Sequence, residues 1–350
     1  MDPLSVSPKI SKIRHRHRHS CVACFKMFNR REHLVEHMKI ASHSLHQPRC
    51  PVCLKHSKSF ESVREHLNVP DHLFKGNCKT IFSIRGCTLC LQLFEEPTSL
   101  ADHQIKCHLS APRLLQGTAT QGSAVNASLN ASGTRFKAVA IDCEMVGGGD
   151  DGSIDLCASI CMVDENENVI FSTHVQPQVP VTNYRNEVTG LTEEDLKDGM
   201  PLQFVRERVL SILGNGHNDG TGRLLVGHDL KHDMNCLKLQ YPSHLLRDTA
   251  TYRPLMKTNL VSQSLKYLTK SYLGYKIQCG KHEPYEDCVS AMRLYKRMRD
   301  QEHGVCGKAE GDDGLNSWKQ SELEKMKPEE LYRNSRSDYR CWCLDRIINP

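Results

Sequence analysis

The sequence predicts a mixed α/β sheet flanked by helices, preceded by small ββα modules. Three observations predict it. From residue 138 onward, short apolar runs alternate with amphipathic stretches in the order β-β-β-α-β-α-β-α-α. Ahead of them, Cys-x2-Cys pairs recur three times, each followed by histidines. Between the two regions lies 110–134, "SAPRLLQGTATQGSAVNASLNASGT", which has no acidic residue and little bulky apolar content. Such a stretch reads as a flexible tether.

The totals limit the function classes. A chain of 350 residues holds two or more domains. No stretch approaches the twenty apolar residues of a membrane span, and "MDPLSVSPKISKIRHRHRHS" lacks the apolar core of a signal peptide. The expected compartment is the cytosol or nucleus, with no membrane partner. The net charge of +5 is uneven: residues 1–110 hold 17 Lys and Arg against 9 Asp and Glu, and 12 of the 19 histidines. A basic, histidine-rich third beside a mildly acidic remainder fits an attachment region joined to something else. The run "RHRHRH" within 1–20 reads as a basic arm that meets phosphate. Seventeen cysteines without a secretion signal favour metal ligation over disulfides.

The pairs are Cys21/Cys24, Cys50/Cys53 and Cys87/Cys90. Twelve residues separate each second cysteine from His37, His66 and His103, and a second histidine follows at His43, His72 and His108. C-x2-C-x12-H-x3-5-H is the spacing of a tetrahedral zinc finger. The expected modules are 21–43, 50–72 and 87–108, with up to three structural zinc ions. Phe28 with Leu34, and Phe94 with Leu100, supply the small apolar cores. The middle repeat has Val63 but Ser57 where an aromatic belongs, which makes its fold the least supported. His33 stands four residues before His37, too close to Cys24 to leave room for hairpin plus helix. Cys107 stands beside His108 as an alternative ligand. Modules of this size bury too little surface to fold alone, so zinc would supply their folding energy. The starts are 29 and then 37 residues apart, which does not suit a regular major-groove track. The five-residue gap between histidines requires the helix to bend or end there. These features resemble the U1-type or matrin-type fingers, and that likeness favours RNA or structured nucleic acid over a protein-docking surface.

In the second domain, "AVAIDCEMVG" begins as a buried strand and is interrupted by Asp142 and Glu144. Alternate strand residues share a face, so the two carboxylates project together and Cys143 points away. Adjacent like charges repel unless a cation sits between them, and Mg²⁺ or Mn²⁺ prefers oxygen ligands. The bland alternative is that the strand ends at Ile141 and both acids are solvated. "DLCASICMV" and "VIFSTHV" read as a hairpin across "DENEN". "PLQFVRERVLSIL" is a helix, "RLLVGHDL" a buried strand entering a turn, and "KHDMNCLKL" a helix start. "LLRDT" is a short strand, "LVSQSLKYLTKSYL" a helix, and "PYEDCVSAMRLYKRMRD" a helix with Pro284 in its first turn. Asp233 and Asp287 lie near helix starts, and His282 lies just outside the last helix. In α/β domains such positions converge on one cleft.

"FKAVAIDCEMVG", "LLVGHDLKHDMNCL", "RDTATYRPL" and "HEPYEDCVSAMRLY" resemble, in order, the motifs of the DEDDh (DnaQ-like) 3′–5′ exonucleases, over roughly 135–300. The likeness is closest to the RNA exonuclease 4 and apoptosis-enhancing nuclease branch, and the fingers resemble those of its plant members. The resemblance implies a ribonuclease-H-like fold and removal of nucleoside 5′-monophosphates from RNA, with DNA a second substrate. It implies that Asp142, Glu144, Asp233 and Asp287 hold two Mg²⁺ or Mn²⁺ ions and that His282 is the general base. Met145 matches a position that packs on the terminal nucleotide, and Arg185 is a candidate phosphate or sugar contact. Glu187 stands where some relatives carry arginine. The branch and the basic N-terminus point to the nucleus, with the nucleolus a candidate, and to RNA processing. The competing expectation is an inert nucleic-acid-binding zinc-finger protein. The tail 301–350 gives no functional signal.

Overall fold

The computed structural model describes residues 19–71, 77–113, 138–214, 222–303 and 314–346. The basic arm up to residue 18, His72 and most of the 110–134 tether lie outside them. Two compact units divide the chain: one holds the residues up to Gln47 and from His303 to Asp338, the other those from Pro48 to Glu302 and from Tyr339 onward.

In the first unit, a hairpin pairs His19–Ser20 with Met27–Phe28 and is followed by the helix Arg31–Ala41. Leu34, Val35 and Met38 form that helix's apolar face. They pack against Leu315, Leu323 and Leu331, the last two from short helices at Gln320–Leu323 and Pro328–Arg333. Part of the uninformative tail is therefore a lid on the first module's helix.

The second unit is built on a mixed sheet. Its strands are β1 (Ala138–Gly148), β2 (Ile154–Asp164), β3 (Val169–Gln176), β4 (Val181–Asn183), β5 (Met200–Pro201), β6 (Leu224–Gly227) and β7 (Leu246–Asp248). The order is β5-β3-β2-β1-β6-β7, and β4 pairs with the far end of β1. β1, β2 and β3 form an antiparallel meander, while β6 and β7 run parallel to β1. Along the chain the five main strands and the helices follow the succession expected from sequence; the short strands β4 and β5 are additional. The expected helix from Leu260 instead begins at Leu265, because the Ser264 hydroxyl accepts the Tyr267 N–H and caps it. It then widens into a π turn at Thr269–Leu273.

Both faces of the central strands are buried, which explains their near-continuous apolar sequence. Ala138, Ala140, Cys161 and Val226 face the helix Pro284–Arg299 through Cys288, Val289 and Met292. Val139, Ile141, Cys143, Ile160 and Leu225 face the helix Leu202–Leu213 through Val205, Val209 and Leu213. The end of the tail also belongs here. Trp342 stacks on Tyr252 with ring centroids 3.8 Å apart. Arg247 grips Asp345 bidentately at 2.7 and 2.6 Å, with the two side chains only 3% and 1% exposed. Removing one partner strands the other charge in the interior. Asp345→Ala is expected to cost about 3–5 kcal/mol of stability, read by urea unfolding. A loss below about 1 kcal/mol would mean the pair is solvated.

Candidate active site and metal centres

The strand β1 delivers Asp142 and Glu144 to the face that carries the helix Pro284–Arg299, while Cys143 packs on the opposite face with Cys157 and Cys236. A β-bulge between Glu144 and Met145 shifts the register there, with the extra residue, Ala158, on β2, so β1 keeps its alternation. Asp233 enters from the helix Leu230–Cys236 and accepts the Cys143 N–H at 3.1 Å. Asp287, in the first turn of the helix Pro284–Arg299, accepts from the Gln278 amide at 2.9 Å. His282 places Nδ1 4.0 Å from both Glu144 Oε1 and Asp287 Oδ2. Its own N–H donates to the Val188 carbonyl at 2.7 Å, tying it to the 186–189 turn.

The electrostatics are those of a site prepared for cations. Glu144, Asp233 and Asp287 are 7%, 4% and 3% exposed. Burial pushes Glu144 up to about 7, helped by the Asp287 charge. Burial likewise pushes Asp287 up to about 7 against the Gln278 hydrogen bond. Asp142 is raised by burial and then by the carboxylates of Asp287, Asp233 and Glu144. Asp233 is raised by burial and the nearby Cys236. Asp287 Oδ1 is buried without a hydrogen-bond partner. An orphaned carboxylate oxygen among three other carboxylates fits a divalent cation, whose oxygen ligands it would join.

Asp142, Glu144, His282 and Asp287 open on a cleft of about 260 Å³, which Cys143, His228, Ser264, Leu265 and Gln278 also line. A larger hollow of about 530 Å³ lies between the helix Leu230–Cys236 and the 339–342 segment, but has a single carboxylate, Asp248, on its walls. The chemistry belongs to the smaller cleft. Gln278, Ser264 and Leu265 carry no motif signal. His228 was visible only as part of "LVGH".

His228 yields a prediction of its own. Its Nδ1 lies 2.9 Å from the Thr249 hydroxyl, and burial pushes its pKa down to about 4. The unfolded chain therefore binds more protons between about 6.5 and 4. The stability due to neutral His228 is lost as pH falls through that window. Melting curves of wild type and His228→Gln should converge toward pH 4; a constant difference would refute the assignment.

Two expected substrate contacts are placed elsewhere. Met145 continues the Cys143 side of β1 and packs into the Val139–Ile141 cluster, so it does not line the cleft. The bulge after Glu144 preserves that alternation on β1. Arg185 is engaged by Asp155 at 2.7 Å and by the Gly152 carbonyl at 3.4 Å. It is the φ 48° residue that opens the 186–189 turn, and it braces the β1–β2 connection.

The cysteine pairs share one geometry. In each, the residue after the second cysteine is left-handed: Phe25, Leu54 and Leu91, at φ 63°, 63° and 60°. In each, the first cysteine's N–H reaches the carbonyl five residues on, and its own carbonyl accepts from that left-handed residue. Side chains rarely adopt this conformation without a purpose. Cys21, Cys24, His37 and His43 converge. The helix ends at Ala41 and Ser42 turns left-handed, which brings His43 back. In the second module, Cys50, Cys53 and His66 converge with Cys78, from the helix Cys78–Arg85. In the third, Cys87, Cys90 and His103 converge with Cys107 rather than His108. Cys107 is four residues beyond His103 and shares its helix face. His108, one further, ends the helix and lies over Gly274, where an added Cβ would come 2.6 Å from its ring.

Residues 139–295 match the family described as Exonuclease. RNA exonuclease 4 of Homo sapiens is 36% identical over 171 residues, 48% of this chain and 39% of that protein. The Saccharomyces cerevisiae RNA exonuclease 4 is 36% identical over 165 residues, 47% and 55%. Apoptosis-enhancing nuclease of Rattus norvegicus is 33% identical over 222 residues, 58% and 63%. The matched segments thus span less than two thirds of these relatives. Among solved structures, the Saccharomyces cerevisiae apo Pan2 pseudoubiquitin hydrolase–RNA exonuclease module in complex with A7 RNA aligns at 24% identity and a TM-score of 0.40, over 46% of this chain and 28% of that one. The Neurospora crassa Pan2 catalytic unit aligns at 17% and 0.41, over 59% and 33%. With Asp142 and Glu144 on its strand, Asp233 and Asp287 on the flanking helices and His282 beside them, the segment 139–295 is an exonuclease-type domain similar to those of RNA exonuclease 4 and apoptosis-enhancing nuclease.

Proposed function

We propose that the protein is a metal-dependent 3′–5′ exonuclease that removes nucleoside 5′-monophosphates from single-stranded RNA ends. The observation that carries this is the convergence of Asp142, Glu144, Asp287 and His282 on one cleft, with Asp233 tied to the same strand. Two Mg²⁺ or Mn²⁺ ions held by the four acids would supply Lewis acidity at the scissile phosphate. His282 is within reach, directly or through one water, of a nucleophile held at these acids, and accepts its proton. Gln278 orients Asp287, while Ser264 and Leu265 form the opposite wall and limit water. The first module and the basic arm ahead of it bind nucleic acid in this reading, and the protein acts in the nucleus on RNA that is being processed. Among the described residues no helix is long and apolar enough to cross a membrane.

The test is degradation of 5′-labelled and 3′-labelled single strands, RNA and DNA in parallel, in Mg²⁺, Mn²⁺ or EDTA. Metal-dependent stepwise shortening from the 3′ end is expected, faster on RNA. Retained RNA binding with no cleavage in any metal would favour the inert binding protein.

A further inference from the structure

The second and third modules are packed into the nuclease. Phe60, Val63, Leu67, Phe82 and Leu91 share one apolar cluster with Tyr272, Leu273 and the helix Pro284–Arg299. Glu61 accepts from the Tyr267 hydroxyl at 2.7 Å. Arg64 donates to the Ser271 carbonyl at 3.0 Å, to the Leu89 carbonyl at 3.3 Å and to that of Thr88, and lies 4.7 Å above the Tyr272 ring. One guanidinium thus joins the second module, the third module's cysteine turn and the nuclease. Leu109 N–H donates to the Leu273 carbonyl at 2.9 Å, and Arg297 donates to the Cys107 carbonyl at 2.7 Å. Of these hydrogen bonds to the nuclease, all but that of Arg297 fall on 265–273, the segment whose start lines the cleft.

We propose that these modules are two Cys3His zinc centres, with Cys78 and Cys107 as fourth ligands, and that zinc there braces the 264–273 wall of the cleft. The donor geometry supports it. Cys87 and Cys107 sulfurs are 3.8 Å apart, and Cys53 and Cys90 sulfurs lie 3.4 and 3.2 Å from the His66 and His103 Nε2 atoms. A tetrahedral zinc with its usual bond lengths separates two sulfurs by about 3.8 Å and a sulfur from a nitrogen by about 3.5 Å. Residues that hold the nuclease stand close to these ligands in the chain: Phe82 is one turn beyond Cys78 on its helix, and Leu109 is two residues beyond Cys107. The side of the second module's helix that carries Glu61 and Arg64 is occupied by the chain itself. The centres serve the nuclease as struts, which sets them apart from the first module.

The experiment uses the full chain purified with zinc, and compares Cys78→Ser, Cys107→Ser, His72→Ala and His108→Ala. Zinc per chain is measured by mass spectrometry, and hydrogen exchange is followed in peptides covering 264–273. The cysteine variants should each lose one zinc, drop Tm by at least about 5 °C, and exchange faster across 264–273. The histidine variants should keep their zinc. Zinc retained in Cys107→Ser and lost in His108→Ala would overturn the ligand set. Zinc lost without faster exchange in 264–273 would overturn the brace. If the cysteine variants do not fold, zinc-edge absorption of the wild type decides: more than two sulfurs per zinc on average supports the centres, and two overturns them. No readout requires cleavage activity, so failure here is separable from failure of the nuclease reading.

Discussion

Asp142→Asn abolishes cleavage, at least about a thousandfold, while leaving the folded protein as stable as before or more so. The two halves of this expectation have one cause. Asp142 sits among three other carboxylates, and burial together with their charges raises its pKa well above the ordinary carboxylate range. An amide of the same shape removes a repulsion that the metal-free fold must tolerate. It also removes a charged ligand, and several kcal/mol of lost transition-state stabilisation correspond to three or more powers of ten in rate. The readout that separates this from a folding defect is Tm with and without Mg²⁺. A cation that binds only the native state raises Tm with concentration. Wild type should show that rise and Asp142→Asn should show little of it. An equal rise in both proteins would remove Asp142 from the metal site, and wild-type cleavage by the variant would remove it from the reaction.

The acids were legible because a strand imposes strict alternation. Two carboxylates at i and i+2 in an apolar run have few structural excuses, and the sheet does place both on one face. Asp233 and Asp287 were legible for a similar reason, since helix starts gather at one edge of such a sheet. What the sequence hid was direction at element ends. His108 and Cys107 differ by one residue, but one step at the end of a helix rotates a side chain by about 100°. Spacing alone cannot say which of them faces Cys87. Cys78 was invisible because it lies on a separate helix beyond the expected module. Arg185 was hidden for another reason: its partner Asp155 is brought to it only by the β1–β2 turn. Docking of the modules on 265–273 depends on contacts more than 150 residues apart in sequence, such as Arg64 with Ser271, which no local pattern records.

His282→Ala lowers kcat by about 10²- to 10⁴-fold and leaves substrate affinity and the Mg²⁺-induced rise in Tm largely intact. The geometry separates its role from that of the acids. His282 is 31% exposed and stands 4.0 Å from Glu144 and Asp287, beyond a direct hydrogen bond and at a separation that one water can bridge. It hangs from the main chain by its N–H to Val188, so the ring is positioned by the 186–189 turn. Truncating it should leave that backbone contact in place and open a space against the cleft. A proton acceptor lost in this way can be replaced from solution. Added imidazole should restore part of the rate in His282→Ala and none in Asp142→Asn, which lacks a ligand rather than a base. Loss of the Mg²⁺ response in His282→Ala would make the histidine part of the metal site. Full activity without the ring would mean that water in this cleft gives up its proton by another route.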